Sequence, residues 1–195
     1  MLKGVFMHKS VLLFSLIFIL TTVFLPAQTP DNPALKTIIN HFGARNYAPE
    51  SITKAELDII LQAGIRSPSA SNRQPWHFTV VQDQSLARRI LSQTSEGNVL
   101  IIVSAAGDGQ TNGSVILDCA LAVQSMYLAA QALGLGSRIY TNPMNNINNN
   151  FKNELGFPRD HNAIAVIRIG RLPAGVDAVS SASPRNNVEQ KVTYR

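Results

Sequence analysis

Apolar residues in this chain recur with two periods, and stretches of the two periods alternate along it. After a polar, proline-punctuated stretch from Thr29 to Pro33, Leu35, Ile38, Ile39 and Phe42 fall at helical spacing, predicting a first helix that ends near Gly43. Thr53-Lys54-Ala55-Glu56 reads as a capping box opening a second helix, with Leu57, Ile60, Leu61 and Ile65 on one face. Phe78 to Gln82 reads as a buried strand, and Asp83 can cap a short helix running through Leu91, where Arg88 and Arg89 form a solvated face. Val99 to Ser104 is continuously apolar and bounded by Gly97 and Gly107, the clearest core strand in the chain. Ser114 to Leu133 is a long helix whose apolar residues exceed a single stripe, which predicts burial on several sides. Its alanines at 120, 122, 129, 130 and 132 permit close packing, and Gly134 fits the C-cap. Asn145 to Asn150 reads as a polar helix start running to Leu155-Gly156, and Ala163 to Gly170 as the last core strand.

Between the second helix and the strand at 78 lies Arg66-Ser67-Pro68-Ser69-Ala70-Ser71-Asn72-Arg73-Gln74-Pro75-Trp76-His77-Phe78. Pro68 cannot continue a helix, because it lacks a backbone donor and restricts the residue before it. Small residues at 69–71 allow a ligand to approach the main chain, and Asn72 and Gln74 offer both donors and acceptors. Such a rigid, polar corner suits a flat polar heterocycle. On turn chemistry alone it is equally an ordinary connection.

The string from Ser67 to Phe78 resembles the helix-to-strand signature of the nitroreductase family of FMN-dependent oxidoreductases, Ala-Pro-Ser-Xaa-Xaa-Asn-Xaa-Gln-Pro-Trp-Xaa-Phe. That resemblance implies FMN contacts at Pro68, Ser69, Ala70, Asn72 and Gln74. It extends to three other stretches. His41-Phe42-Gly43-Ala44-Arg45-Asn46-Tyr47 is similar to the family's Arg-Arg-Ser-Xaa-Arg-Xaa-Phe/Tyr, whose basic residues and serine reach the phosphate and ribityl chain. Arg45 and Tyr47 match, whereas His41, Phe42 and Gly43 stand where the family has Arg, Arg and Ser. Arg45 is the strongest phosphate or flavin-edge candidate there, with His41 and Gly43 beside it. Gly134-Leu135-Gly136-Ser137 resembles the stretch leading to backbone along the flavin ring, which puts Tyr140, Thr141 and Asn142 at its reactive edge and the Thr141 N–H on the flavin N5. Ser183-Pro184-Arg185 resembles the family's basic C-terminal motif, making Arg185 a second phosphate ligand.

Residues 1–27 change the picture of where the protein works. Lys3, His8 and Lys9 precede an apolar run from Val11 to Leu25, and Leu25-Pro26-Ala27 offers a cleavage site, the pattern of a signal peptide. The run is short for a membrane span, so export to the periplasm is expected with no span after cleavage; an uncleaved anchor is the alternative. The expected organisation is a signal peptide at 1–27, a linker at 28–34 and one domain from 35 to 195. Cleavage removes Lys3 and Lys9 and no acid, taking the formal charge from +5 to +3. With arginines scattered along the chain, that excess does not point to nucleic acid. The one cysteine, Cys119, excludes an internal disulfide and sits among apolar positions as a core residue. His41, His77 and His161 lack metal-ligand spacing. Gly107 to Gly113 follows a strand, but its glycines are spaced one residue too far apart for a dinucleotide fingerprint.

The resemblance implies an α+β fold, a mostly antiparallel sheet wrapped by helices, in an obligate homodimer with FMN at the subunit interface. It also implies ping-pong chemistry between a small-molecule electron donor and an electron-poor acceptor such as a nitroaromatic or quinone, with no catalytic side chain and no metal. Export leaves NAD(P)H an open choice of donor. Reductive dehalogenation, and an exported flavin-binding or scavenging protein without turnover, are the alternatives.

Overall fold

The computed structural model describes residues 31–107, 113–179 and 184–195. The signal-peptide expectation and residues 28–30 of the linker lie outside these residues, as does the centre of the glycine-rich loop at 108–112.

Among the described residues, five α-helices and four strands follow one another: α1 (Pro33–Asn40), α2 (Lys54–Ile65), β1 (Trp76–Val81), α3 (Gln84–Ile90), β2 (Val99–Ala106), α4 (Gly113–Ala132), β3 (Gly136–Tyr140), α5 (Met144–Asn150) and β4 (His161–Gly170). The four strands form one sheet in the order β1-β2-β4-β3, antiparallel throughout. Alternation along the central strands divides the core between its two faces. Val99, Ile101 and Val103 of β2 and Ile167 and Ile169 of β4 face α2 and α4, where Ile60, Cys119, Val123 and Met126 meet them. Leu100, Ile102 and Val166 face the other way, onto Ala87 and Ile90 of α3 and Ile147 and Phe151 around α5. The result is the expected α+β architecture, with helices on both faces of the sheet.

Several expectations need correction. Pro33 is not linker; it occupies the first turn of α1, capped by the Asn32 side chain. The helix stops at Asn40 rather than near Gly43, and its apolar face is turned outward: Leu35, Ile38 and Ile39 are 38, 53 and 52% exposed, and Thr37 is its buried residue. β1 starts at Trp76, two residues early, and is half-buried rather than buried. α5 ends at Asn150 and gives way to turns before Gly156, because seven residues rich in asparagine hold only a short helix. Arg88 and Arg89 do more than face solvent: they pair with Glu96 and Glu154, and Arg89 lies over the Phe151 ring.

The capping box is present. Thr53 Oγ accepts from the Glu56 N–H while the Glu56 carboxylate accepts from the Thr53 N–H at 2.7 Å. The same carboxylate accepts a two-pronged contact from Arg171, at 2.7 and 2.8 Å, tying α2 to the end of the sheet. Burial pushes the Glu56 carboxyl up, but hydrogen bonds from Arg171 and Thr53 outweigh it and hold the group below its ordinary value. A carboxyl depressed in the folded state contributes stability above its unfolded pKa and loses it as pH falls through the folded one. Glu56→Gln is therefore expected to lower urea stability by about 1 kcal/mol at neutral pH, with the gap closing below about pH 4. A gap that persists in acid would assign the loss to packing instead.

Candidate functional site

The loop after α2 is held in an uncommon backbone conformation. Ser71, Asn72 and Gln74 have φ of 52, 55 and 48°, each in the left-handed region that costs a non-glycine residue about 1–2 kcal/mol. Strain of this kind persists only where surrounding contacts over-determine the backbone. Here they come from α4. Ser67 is buried and donates to Ser125 Oγ at 2.8 Å. Asp118, 3% exposed and the one charged residue of α4, accepts from the Ala70 N–H at 2.9 Å and from Arg73 Nη2 at 3.3 Å. Arg73 also donates to Ser114 Oγ and back to the Ala70 carbonyl. Within the loop, Ser69 Oγ accepts from the Gln74 N–H, and Gln74 Nε2 donates to Asn72 Oδ1. Pro68, Ser69, Ala70, Asn72 and Gln74 thus form one exposed, prearranged edge near the start of α4.

A second group assembles beyond the middle of α4. The segment from His41 to Arg45 runs beside β3, with Gly43 bridged to Ser137 in parallel and the Ala44 N–H donating to the Ser137 carbonyl at 3.0 Å. Buried Gln131 holds it by both ends of its amide, donating to the Phe42 carbonyl at 2.6 Å and accepting from the Phe42 N–H at 3.1 Å. His41 Nδ1 lies 3.2 Å from the Tyr127 hydroxyl. Burial, then the nearby charge of Arg185, lowers the His41 pKa, so the ring is neutral near pH 7. His41, Gly43, Arg45 and Arg185 meet in a cavity of about 370 Å³, together with Tyr127 and Arg138. Arg45 and Arg138 also line an adjoining cavity of about 500 Å³ with Tyr140, Asn142, Gln93 and Arg168. Thr141 lies between Tyr140 and Asn142 at the exposed end of β3.

The predicted residues therefore divide into two groups, and one chain does not bring them together. Ala70 is anchored at Asp118 and His41 at Tyr127, nine residues apart on α4, which is about 13 Å along a helix axis. Sequence reasoning missed Gln93, Asp118, Gln131, Arg138 and Arg168. Asp118 and Arg168 left a signal, since each is a charge inside an apolar run. Gln93 left none.

The remaining candidates are structural. Burial, then the neighbouring Asp118 charge, pushes the Cys119 thiol up to about 12, so it is protonated and inert near neutral pH. The His77 and His161 rings lie 6.0 Å apart, and no group of three or more His, Cys, Asp or Glu among the described residues could hold a metal. α4 alone among the described helices is long and apolar enough to span a membrane, but its buried face forms the centre of the core.

A four-stranded antiparallel sheet between helices, with a strained polar loop at one site and an arginine-lined pair of cavities at another, defines the class. The chain belongs to the nitroreductase family, whose model, described as "Nitroreductase family", matches residues 41–101 and 94–171. A protein of Archaeoglobus fulgidus with the provisional name NADH dehydrogenase/NAD(P)H nitroreductase is 33% identical over 111 residues, covering 53% of this chain. One of the same name from Methanothermobacter thermautotrophicus is 29% identical over 123 residues, covering 60% of this chain. The matched stretch spans 64% of the length of each of these two relatives. Among solved structures, a protein of Parabacteroides distasonis bearing that name superposes with a TM-score of 0.68 at 25% identity, covering 84% of this chain and 98% of its own. A nitroreductase of Bacteroides fragilis, solved with bound FMN, shares the fold with a TM-score of 0.66 at 24% identity, covering 84% of this chain and 99% of its own.

Proposed function

We propose that this protein is an exported FMN-dependent oxidoreductase, working as a homodimer with the flavin between two subunits. The observation that carries the reading is the meeting of His41, Gly43, Arg45 and Arg185 in one cavity, although 140 positions separate Arg45 from Arg185. The residues fit the cofactor. A phosphate needs cationic donors, which Arg45, Arg138 and Arg185 supply as planar forks, and no acid lines either cavity. His41 and Gly43 in place of Arg and Ser leave fewer charges than the family's pattern supplies.

The separation of the two groups along α4 supports the dimer. A second copy packed about a two-fold axis would bring its own Ser69-to-Gln74 edge to the arginine cavities of the first. The surfaces available for such packing are apolar: Ile38 and Ile39 on α1, Ile59 on α2, and Leu117 on α4 are each more than half exposed. Residues 184–195 are exposed throughout and include Val188, Val192 and Tyr194, apolar surface suited to a partner subunit.

Bound FMN would supply two-electron transfer between one small molecule and another, with a nitroaromatic or quinone as the proposed acceptor. The chain's own part is to position and to polarise. Arg45, Arg138 and Arg185 would hold the phosphate and ring edges, Asn72 and Gln74 would offer side-chain amides to the ring's polar atoms, and the Thr141 N–H would donate to N5. No side chain serves as nucleophile or metal ligand. The donor is left open, because the leader at 1–27 directs the domain away from cytoplasmic nicotinamide pools. A second reading, flavin binding without turnover, draws on His41, Phe42 and Gly43 standing where the family has Arg, Arg and Ser.

The visible spectrum of the purified domain, prepared with FMN and freed of excess, tests the reading: a retained flavin spectrum is expected, and failure to take up FMN in titration would sink it. Reduction by a candidate donor then separates enzyme from binder. Asn72→Ala and Arg185→Ala are each expected to weaken flavin affinity about tenfold, the loss of one or two good hydrogen bonds, with the domain still folded. Wild-type occupancy in both variants would place the flavin elsewhere.

A further inference from the structure

Arg168 interrupts the apolar run of β4, and the residue is 2% exposed. Nη1 donates to the Gln93 carbonyl and Nη2 to the Arg45 carbonyl at 3.1 Å, while Nε is buried without a partner. The guanidinium carbon lies 4.3 Å from the Tyr47 ring centroid and 5.5 Å from that of Tyr140. Carbonyls and ring faces offset part of the cost of burying a cation, but a counter-charge is missing. Arg138 is the register partner of Arg168 on the neighbouring strand and lies 5.5 Å from the Tyr140 ring centroid. The ion pairs among the described residues involve none of Arg45, Arg138 and Arg168. Three arginines therefore line one cavity of about 500 Å³ with no carboxylate among its walls. Such a cavity favours negative charge, and favours it more the better water is excluded.

The cavity adjoins the one holding His41, Gly43 and Arg185, sharing Arg45 and Arg138 with it. A ligand with a phosphate at one end and a flat ring at the other can span both. We propose that the arginine cavity receives the carbonyl-bearing pyrimidine edge of the flavin, and that Arg168 and Arg138 stabilise the charge this edge gains on reduction. A hydride delivers two electrons and one proton to a neutral ring: the new N–H forms at N5, and one net negative charge spreads over the pyrimidine edge. The cationic wall binds that anion more tightly than the neutral oxidised ring, so it raises the reduction potential. The Tyr47 and Tyr140 rings pack against the Arg168 guanidinium and help hold it in place. This inference rests on the flavin reading above and adds residues outside the family resemblance.

Midpoint potentials and oxidised-state dissociation constants of the flavin-loaded wild type, Arg138→Gln, Arg168→Met and Arg168→Lys test it. Arg138→Gln and Arg168→Met should each lower the preference for reduced over oxidised flavin at least tenfold, about 30 mV for a two-electron couple. Arg168→Lys, which keeps the charge, should retain most of the wild-type potential. If Arg168→Met does not fold, Arg138→Gln on the half-buried edge strand carries the test. A folded, flavin-loaded Arg138→Gln with the wild-type potential would overturn the inference and leave the flavin reading standing. A wild-type protein that takes up no flavin would overturn both.

Discussion

Asp118→Ala is expected to lower the stability of the domain by about 2–3 kcal/mol and to weaken flavin binding at least tenfold. The carboxylate is buried on α4 and fixes the loop at two points, the Ala70 N–H and the Arg73 guanidinium. Without it, Ser71, Asn72 and Gln74 lose the anchor that holds them at positive φ. Each of those residues gains about 1–2 kcal/mol by returning to ordinary backbone angles, so the loop relaxes rather than waiting in its bound shape. Arg73 is partly exposed and can be rehydrated, which keeps the stability loss below that of a fully buried ion pair. Urea denaturation and flavin titration measure the two effects separately. Lost stability with wild-type flavin affinity would show that the loop edge takes no part in binding.

Gly97→Ala is expected to cost about 3 kcal/mol or more and to lower the unfolding temperature by roughly 6–12 °C. Gly97 sits at φ of +73° between α3 and β2. Alanine there carries the left-handed penalty of about 1–2 kcal/mol. A Cβ would also stand 2.8 Å from the Glu50 carbonyl oxygen and closer still to that of Pro49. Both obstacles are backbone, so relief requires shifting the segment that enters α2. The same connection carries Gln93, whose carbonyl receives Arg168, so the damage should reach the arginine cavity. Scanning calorimetry measures it; a loss under about 1 kcal/mol would mean that the turn at 49–50 yields easily.

Much of the fold was legible in the residue pattern. The core strand at Val99, the capping box at Thr53 and the apolar helix around Cys119 each announced themselves through local periodicity or local chemistry. The outward face of α1 did not: Leu35, Ile38 and Ile39 carry the same helical spacing whether they meet the core or a partner. Arg168 was visible only as a charge inside an apolar strand, with nothing nearby in the chain to say what it faces. Its carbonyl partners come from Arg45 and Gln93, 123 and 75 positions away.

Local sequence by itself determined the element types, the rigid polar corner from Pro68 to Pro75 and the family resemblance. These depend on backbone conformation and side-chain type over a few residues, where the interactions are short in sequence. Tertiary structure alone decided that Asp118 holds that corner and that His41, Gly43, Arg45 and Arg185 share a cavity. It also set the corner and the arginine cavities against different parts of α4. Those outcomes follow from strand order and helix packing, which join Asp118 to Ala70 across 48 positions and His41 to Arg185 across more than a hundred, distances over which local sequence names no partner.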